Sequence, residues 1–147
     1  MKIQKLQEIK HKSIIEPKDF TYTQEEKELY KLDEANNNKG IIKISDKTTA
    51  IYFQVGEEIT GLQVFSSDTV GALNAICDII DNFTGLLTHE RNAVLSTLGF
   101  FNGNFIKGMA TKRKGFSFNV ISHKNMVVFG MSKGWGVNNG AKIICNL

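Results

Sequence analysis

Between residues 68 and 81 the apolar side chains fall at Val70, Leu73, Ile76, Cys77 and Ile80. This three-and-four spacing gathers them on one side of a 3.6-residue helix. Ser66-Ser67-Asp68 stands directly before it and predicts the cap, with Asp68 favourably placed against the helix dipole. Farther along the chain the period drops to two. Residues 92–98, 105–111, 116–122 and 125–131 read as four strands in close succession. Asn102-Gly103, two residues that accept positive φ, gives the strongest hairpin signal. Lys112-Arg113-Lys114-Gly115 and His123-Lys124-Asn125 supply the other turns.

Before the helix, residues 40–65 read as a meander. Ile41-Ile42-Lys43-Ile44 is one strand, Asp46-Lys47 a turn, and residues 48–55 a second strand rich in β-formers. Thr23-Gln24-Glu25-Glu26 has the form of a capping box, Leu29 and Leu32 give a thin apolar stripe, and Asn36-Asn37-Asn38-Lys39-Gly40 ends it. A helix over about 24–35 follows, docked on a sheet. Residues 1–22 are weakly patterned: Lys2, Lys5, Lys10 and Lys12 surround Ile3, Leu6 and Ile9, and Ser13 and Pro17 break the spacing. So short a helix is marginal alone in water. The expectation is a flexible basic extension over 1–22 and one domain over 23–147. Short connections favour antiparallel neighbours. The fold class expected is therefore α+β, with a central antiparallel sheet of about six strands flanked by helices.

Composition narrows the function. A chain of 147 residues with 41% apolar content suits a single core. No run of eighteen apolar residues is present to span a membrane. The start, Met-Lys-Ile-Gln-Lys, lacks the apolar stretch of a secretory signal. Cys77 and Cys145 match no metal or redox spacing, and Cys77 on the apolar side of its helix reads as a buried free thiol. A cytoplasmic, reduced setting is expected, without a metal or other cofactor.

The charge is unevenly spread. A net +3 conceals a stretch, residues 91–147, with eight Lys or Arg and no Asp or Glu. Cations projected from a rigid sheet attract an acidic partner. Lys112-Arg113-Lys114 has the chemistry to grip phosphates of nucleic acid or of lipid headgroups, and equally that of a solubilising turn. Phe116 and Phe118, two residues apart, suit a core-facing row.

Catalytic chemistry is hard to find. His11, His89 and His123 stand apart from any nucleophile or carboxylate arrangement, and Glu25-Glu26 and Glu57-Glu58 read as solvated pairs. Gly134-Trp135-Gly136-Val137-Asn138-Asn139-Gly140 has the wrong glycine spacing for a dinucleotide loop and no room for a βαβ unit after it. Trp135, the single tryptophan, is either packed in a small satellite core or offered as a binding anchor. No enzyme is expected.

The C-terminal third resembles profilin, the small actin-monomer-binding protein of the cytoskeleton. The resemblance is carried by Phe118-Asn119-Val120, the turn His123-Lys124-Asn125, the strand Met126-Val127-Val128-Phe129-Gly130-Met131, and Ser132-Lys133-Gly134-Trp135-Gly136-Val137. Gly85-Leu86-Leu87 leading into Arg91 to Leu95 is similar to the profilin strand after its actin-side helix, whose place the helix around 67–80 takes. The basic arm is similar to N-terminal extensions of some archaeal (Asgard) profilins. The resemblance implies a profilin-like fold and a monomer that binds monomeric actin through Phe83, Arg91, Val94, Lys112, Trp135, Val137, Asn138 and Lys142. Trp135 would be the apolar anchor, Phe83 and Val94 the central padding, and Arg91, Lys112 and Lys142 the contacts to acidic side chains. It also implies phosphoinositide binding, through Lys2, Lys5, Lys10 and Lys12 of the arm and through Lys112, Arg113 and Lys114.

The sequence departs from the profilin pattern where proline-rich ligands bind. No tryptophan stands in the first helix, where Phe20, Tyr22 and Tyr30 are the aromatics at hand, and the closing helix is short. Polyproline binding thereby lacks its usual aromatic walls. The alternative from the residues alone is a nucleic-acid-binding α+β domain using the basic sheet. It would need exposed aromatics on that face, and on the profilin reading no nucleic acid is expected.

Overall fold

A computed structural model describes Lys2, Leu6 and residues 24–30, 39–101, 109–123 and 125–133. In chain order the elements are α1 (Gln24–Tyr30), β1 (Lys39–Ser45), β2 (Thr48–Val55), β3 (Glu58–Ser66), α2 (Thr69–Thr84), α3 (Thr88–Leu98), β4 (Met109–Arg113), β5 (Phe116–His123) and β6 (Met126–Lys133). The six strands form one sheet in the order β1-β2-β3-β6-β5-β4, and every neighbouring pair is antiparallel. The fold is α+β. It consists of two three-stranded meanders joined through the central β3–β6 pair, with the helical pair α2–α3 between them in sequence.

Strand alternation assigns the two faces. On one, Ile42 and Ile44, Leu62 and Val64, Phe118 and Val120, and Phe129 and Met131 join Ile76, Ile80, Phe83, Val94, Leu95 and Leu98 of the helices in the main core. Phe129 sits at its centre. Its ring meets Phe100 edge-on at 5.3 Å and stacks on Phe118 at 6.3 Å, both geometries that aromatic pairs favour. The opposite face carries a second buried cluster, Ile51, Phe53, Phe65 and Val128. Lys43 is buried on that side, where its Nζ donates to Thr49 Oγ1 at 3.1 Å.

Helix α2 begins as its sequence predicts. The Asp68 carboxylate accepts the Gly71 N–H at 3.0 Å, and Ser66 Oγ accepts the Asp68 N–H at 3.0 Å while sharing a hydrogen bond with Thr48 Oγ1. Its buried side is Ala72, Ile76, Ile79, Ile80 and Phe83, and the helix runs to Thr84. Val70 lies off that stripe and is 86% exposed. Gly85 stops the helix at φ 70, a left-handed position that glycine alone adopts without steric cost.

Three expectations are corrected. Residues 92–98 are not a strand but most of α3. Glu90, Val94, Leu95 and Leu98 are its buried positions, a four-residue recurrence that turns one helical side inward, and Gly99 caps its end. The missing strand is instead β3, which pairs with β2 and with β6 in the middle of the sheet. Lys112 and Arg113 belong to β4, and the turn is Lys114-Gly115 alone, because Arg113 pairs with Phe116. Both turn residues have positive φ, 49 and 84, the form that follows the twist of the flanking strands.

The extension reading also meets a fact at its start. Lys2 forms an isolated antiparallel bridge with Glu58, and Leu6 is 1% exposed within the main core. Lys5, Lys10 and Lys12, the Asn102-Gly103 turn, and Trp135, Val137, Asn138 and Lys142 lie outside the described residues.

Candidate functional site: the cationic end of the sheet

One end of the molecule gathers the C-terminal part of α2, the start of α3, the β4–β5 turn and the end of β6. Phe83 of α2 packs edge-on against Phe116 of β5 at 5.5 Å, and Phe116 pairs in register with Lys133. The Lys133 Nζ lies 6.0 Å from the Phe83 ring centroid, at the limit of a cation–π contact, and 3.9 Å from Glu58 Oε2. Arg91, on the first turn of α3, donates from its guanidinium to Asp81 Oδ2 of α2 at 2.7 Å and from Nε to Asn92 Oδ1. That bond ties the two helices together just past the Gly85 turn.

Glu90 organises the other side of this end. Its Oε1 accepts the Leu87 N–H at 3.1 Å, which satisfies an orphan donor at the start of α3. Its Oε2 receives the Lys114 ammonium at 2.7 Å and lies 3.6 Å from Arg113 Nε. The Glu90 side chain is only 4% exposed, whereas those of Arg113 and Lys114 are 42% and 64% exposed. The carboxylate is thus beneath, and the two cations roof it over.

The Lys114 hydrogen bond, the Leu87 N–H and the neighbouring charges hold the Glu90 carboxyl below its ordinary 4.5, against the opposing pull of burial. A lowered folded value means that the pairing stabilises the fold in full above about pH 4.5 and that this contribution is lost as pH falls through the lowered value. Urea unfolding at a series of acid pH values should show a steeper loss for the wild type than for Glu90→Gln. Equal acid limbs in the two proteins would contradict the assignment.

The residues named from sequence are only partly brought together. Phe83, Arg91 and Val94 lie on the helical side of the sheet with Arg113 and Lys114. Phe83 and Val94 are buried in the core, so they support this end from below and offer no surface. Lys112 is exposed, but alternation along β4 turns it to the face opposite Arg113. Phe118 is buried and Phe116 packs against the core, as their two-residue spacing predicts. The basic turn therefore gains no stacking platform from that aromatic row.

Sequence reasoning missed the acidic half of the site. Described cations of the acid-free stretch are paired with acids from before it: Arg91 with Asp81, Arg113 and Lys114 with Glu90, and Lys133 with Glu58. The signal available was Glu90 itself, three residues after Leu87 at a helix start, where a carboxylate caps the backbone.

Among the described residues, no group of three or more His, Cys, Asp and Glu side chains gathers where it could hold a metal ion. No described helix is long and apolar enough to cross a membrane. Cys77 is a half-buried free thiol, and burial pushes it above its ordinary 9.0, which disfavours the reactive thiolate. No protein family, curated protein or solved structure matches the chain.

Proposed function

We propose that the chain is a non-enzymatic, cytoplasmic actin-monomer-binding protein of profilin type that regulates filament assembly, with anionic phosphoinositides as modulators. The observation that carries the reading is the cationic end built by α2, α3 and the β4–β5 turn. Of the eight positions that the profilin resemblance assigns to actin, Phe83 at the end of α2 and Arg91 and Val94 of α3 belong to this end, and those three support the reading. The resemblance in residues 118–137 supports it from sequence.

In this reading Phe83 and Val94 hold the docking end rigid from within. Arg113 and Lys114 are its charged rim, Arg91 contributes from its pair with Asp81 and Lys112 from the sheet edge, and Trp135 is the apolar anchor, with Val137, Asn138 and Lys142 as further contacts. A specific interface of ordinary size buries about 800 Å² on each partner, and a few residues dominate its energy. Rim charges chiefly speed encounter and are screened by salt.

Titration of the protein with monomeric actin at rising ionic strength tests this. Saturable one-to-one binding whose affinity falls with salt is expected, together with a larger loss for Trp135→Ala than for any single lysine substitution. Absence of binding at low salt would overturn the reading, and a salt-insensitive affinity would remove the role given to the cations.

A further inference from the structure

Glu90 does something at this end that neither cap nor ion pair requires. It places a buried negative charge directly under two partly exposed cations of the β4–β5 hairpin. The carboxylate faces Arg113 and Lys114 from the β4–β5 hairpin and the Leu87 N–H from its own helix. Arg91 and His89 are its neighbours in sequence, and the Arg91 guanidinium is committed to Asp81. From the pairs formed, Arg113 and Lys114 contribute two positive charges and Glu90 one negative, so the turn presents one net charge where the sequence promises two. The cations nevertheless keep open sides, since about half of each side chain remains in solvent.

We infer that Glu90 is an internal decoy for the phosphate-binding turn: its carboxylate occupies the Arg113–Lys114 pair and competes with the phosphomonoester groups of an anionic lipid headgroup. The inference rests on the phosphoinositide reading above and adds its regulation. A headgroup phosphate is doubly charged or nearly so and offers three acceptor oxygens, so it outmatches one carboxylate oxygen for a guanidinium and an ammonium. When it binds, Lys114 and Arg113 swing outward to it and Glu90 keeps only the Leu87 N–H. Lys114 is well suited to this exchange. It is the described non-glycine residue with positive φ, at the tip of a two-residue turn, and its long side chain has solvent on one side and Glu90 on the other.

Flotation or sedimentation with vesicles containing a phosphatidylinositol phosphate, against phosphatidylcholine vesicles, tests the decoy in the full chain. Glu90→Gln removes one negative charge from the turn and should raise vesicle affinity about fivefold, the effect of one charge at an anionic surface. Removing both cations in the Glu90→Gln background should abolish the gain. A folding defect would lower specific binding, and a gain that survived loss of the two cations would mark non-specific adhesion and overturn the proposal.

Soluble inositol trisphosphate in place of vesicles separates a headgroup in a membrane from the same phosphate free in solution. Equal gain in both arms supports the shared chemistry, and gain with vesicles alone assigns it to the membrane. Equal affinity of wild type and Glu90→Gln for vesicles overturns the decoy while leaving lipid binding standing. No binding by either protein overturns both. Should Glu90→Gln fail to fold, the Glu90 carboxyl carbon resonance of the wild type decides. Saturating inositol trisphosphate at neutral pH should shift that resonance as the cations withdraw from the carboxylate, and an unmoved resonance overturns the proposal.

Discussion

Leu6→Ala is expected to lower the free energy of unfolding by about 2–5 kcal/mol, the range for truncating a large aliphatic side chain in a packed core. Leu6 is 1% exposed and shares the main cluster with residues from the sheet and from both long helices. Truncation removes the apolar area it buries and leaves a space that close-packed neighbours fill only in part. A change in a solvated extension would instead fall within about 0.5 kcal/mol of neutral. Chemical denaturation of the two proteins distinguishes these outcomes. A Leu6→Ala variant as stable as wild type would return residue 6 to the extension predicted from sequence.

Phe129→Ala is expected to cost more, about 3–5 kcal/mol, a large part of the 5–15 kcal/mol that holds a typical domain together. Phe129 belongs to β6, which sits between β3 and β5, and it pairs in register with Val64 on one side and Val120 on the other. Its ring also joins Phe100, just beyond α3, to Phe118 of β5. The substitution therefore loosens the seam between the two meanders and the packing of the helices on it at once. Phe129→Leu, which keeps most of the volume, should lose much less. Similar denaturation midpoints for Phe129→Ala and wild type would place the centre of the core elsewhere.

The fold class was legible because period-two runs and capped helical runs are local signals. Strand β2, the start of α2, and strands β5 and β6 lie close to where the sequence pattern puts them, whereas the buried side of α2 keeps only Ile76 and Ile80 of the expected stripe and is completed by Ala72, Ile79 and Phe83. The failures have specific causes. In 92–98 the residues Val94, Leu95 and Leu98 fit a short strand or one side of a helix, and only packing on β4 settles the choice. Strand β3 was obscured by Gly61 in its interior and by the Glu57-Glu58 pair at its start, which read as solvated surface. Residue 58 nonetheless opens a central strand, because tertiary pairing overrides the weak propensity of a glutamate there.

The candidate site was half legible. The cations of the C-terminal stretch are evident in the sequence, but their partners Asp81, Glu90 and Glu58 come from 10 to 75 residues upstream. No local pattern announces such pairings, because they are created by the α2–α3 junction and by β6 lying beside β3. Lys112 and Arg113, adjacent in sequence, were grouped as one basic turn, yet the strand register divides them between two faces. Among the described residues, the basic surface is thus more nearly neutralised than its charge count implies.

Titration of monomeric actin into isotopically labelled protein, followed by backbone amide resonances, tests the central claim most directly. Perturbations are expected to concentrate on the end of α2, the first turn of α3 and the β4–β5 turn, at Phe83, Arg91, Arg113 and Lys114, and on Trp135, while the β1–β2 turn stays unchanged. Spectra that remain superimposable at saturating actin, or perturbations confined to β1 and β2, would contradict it.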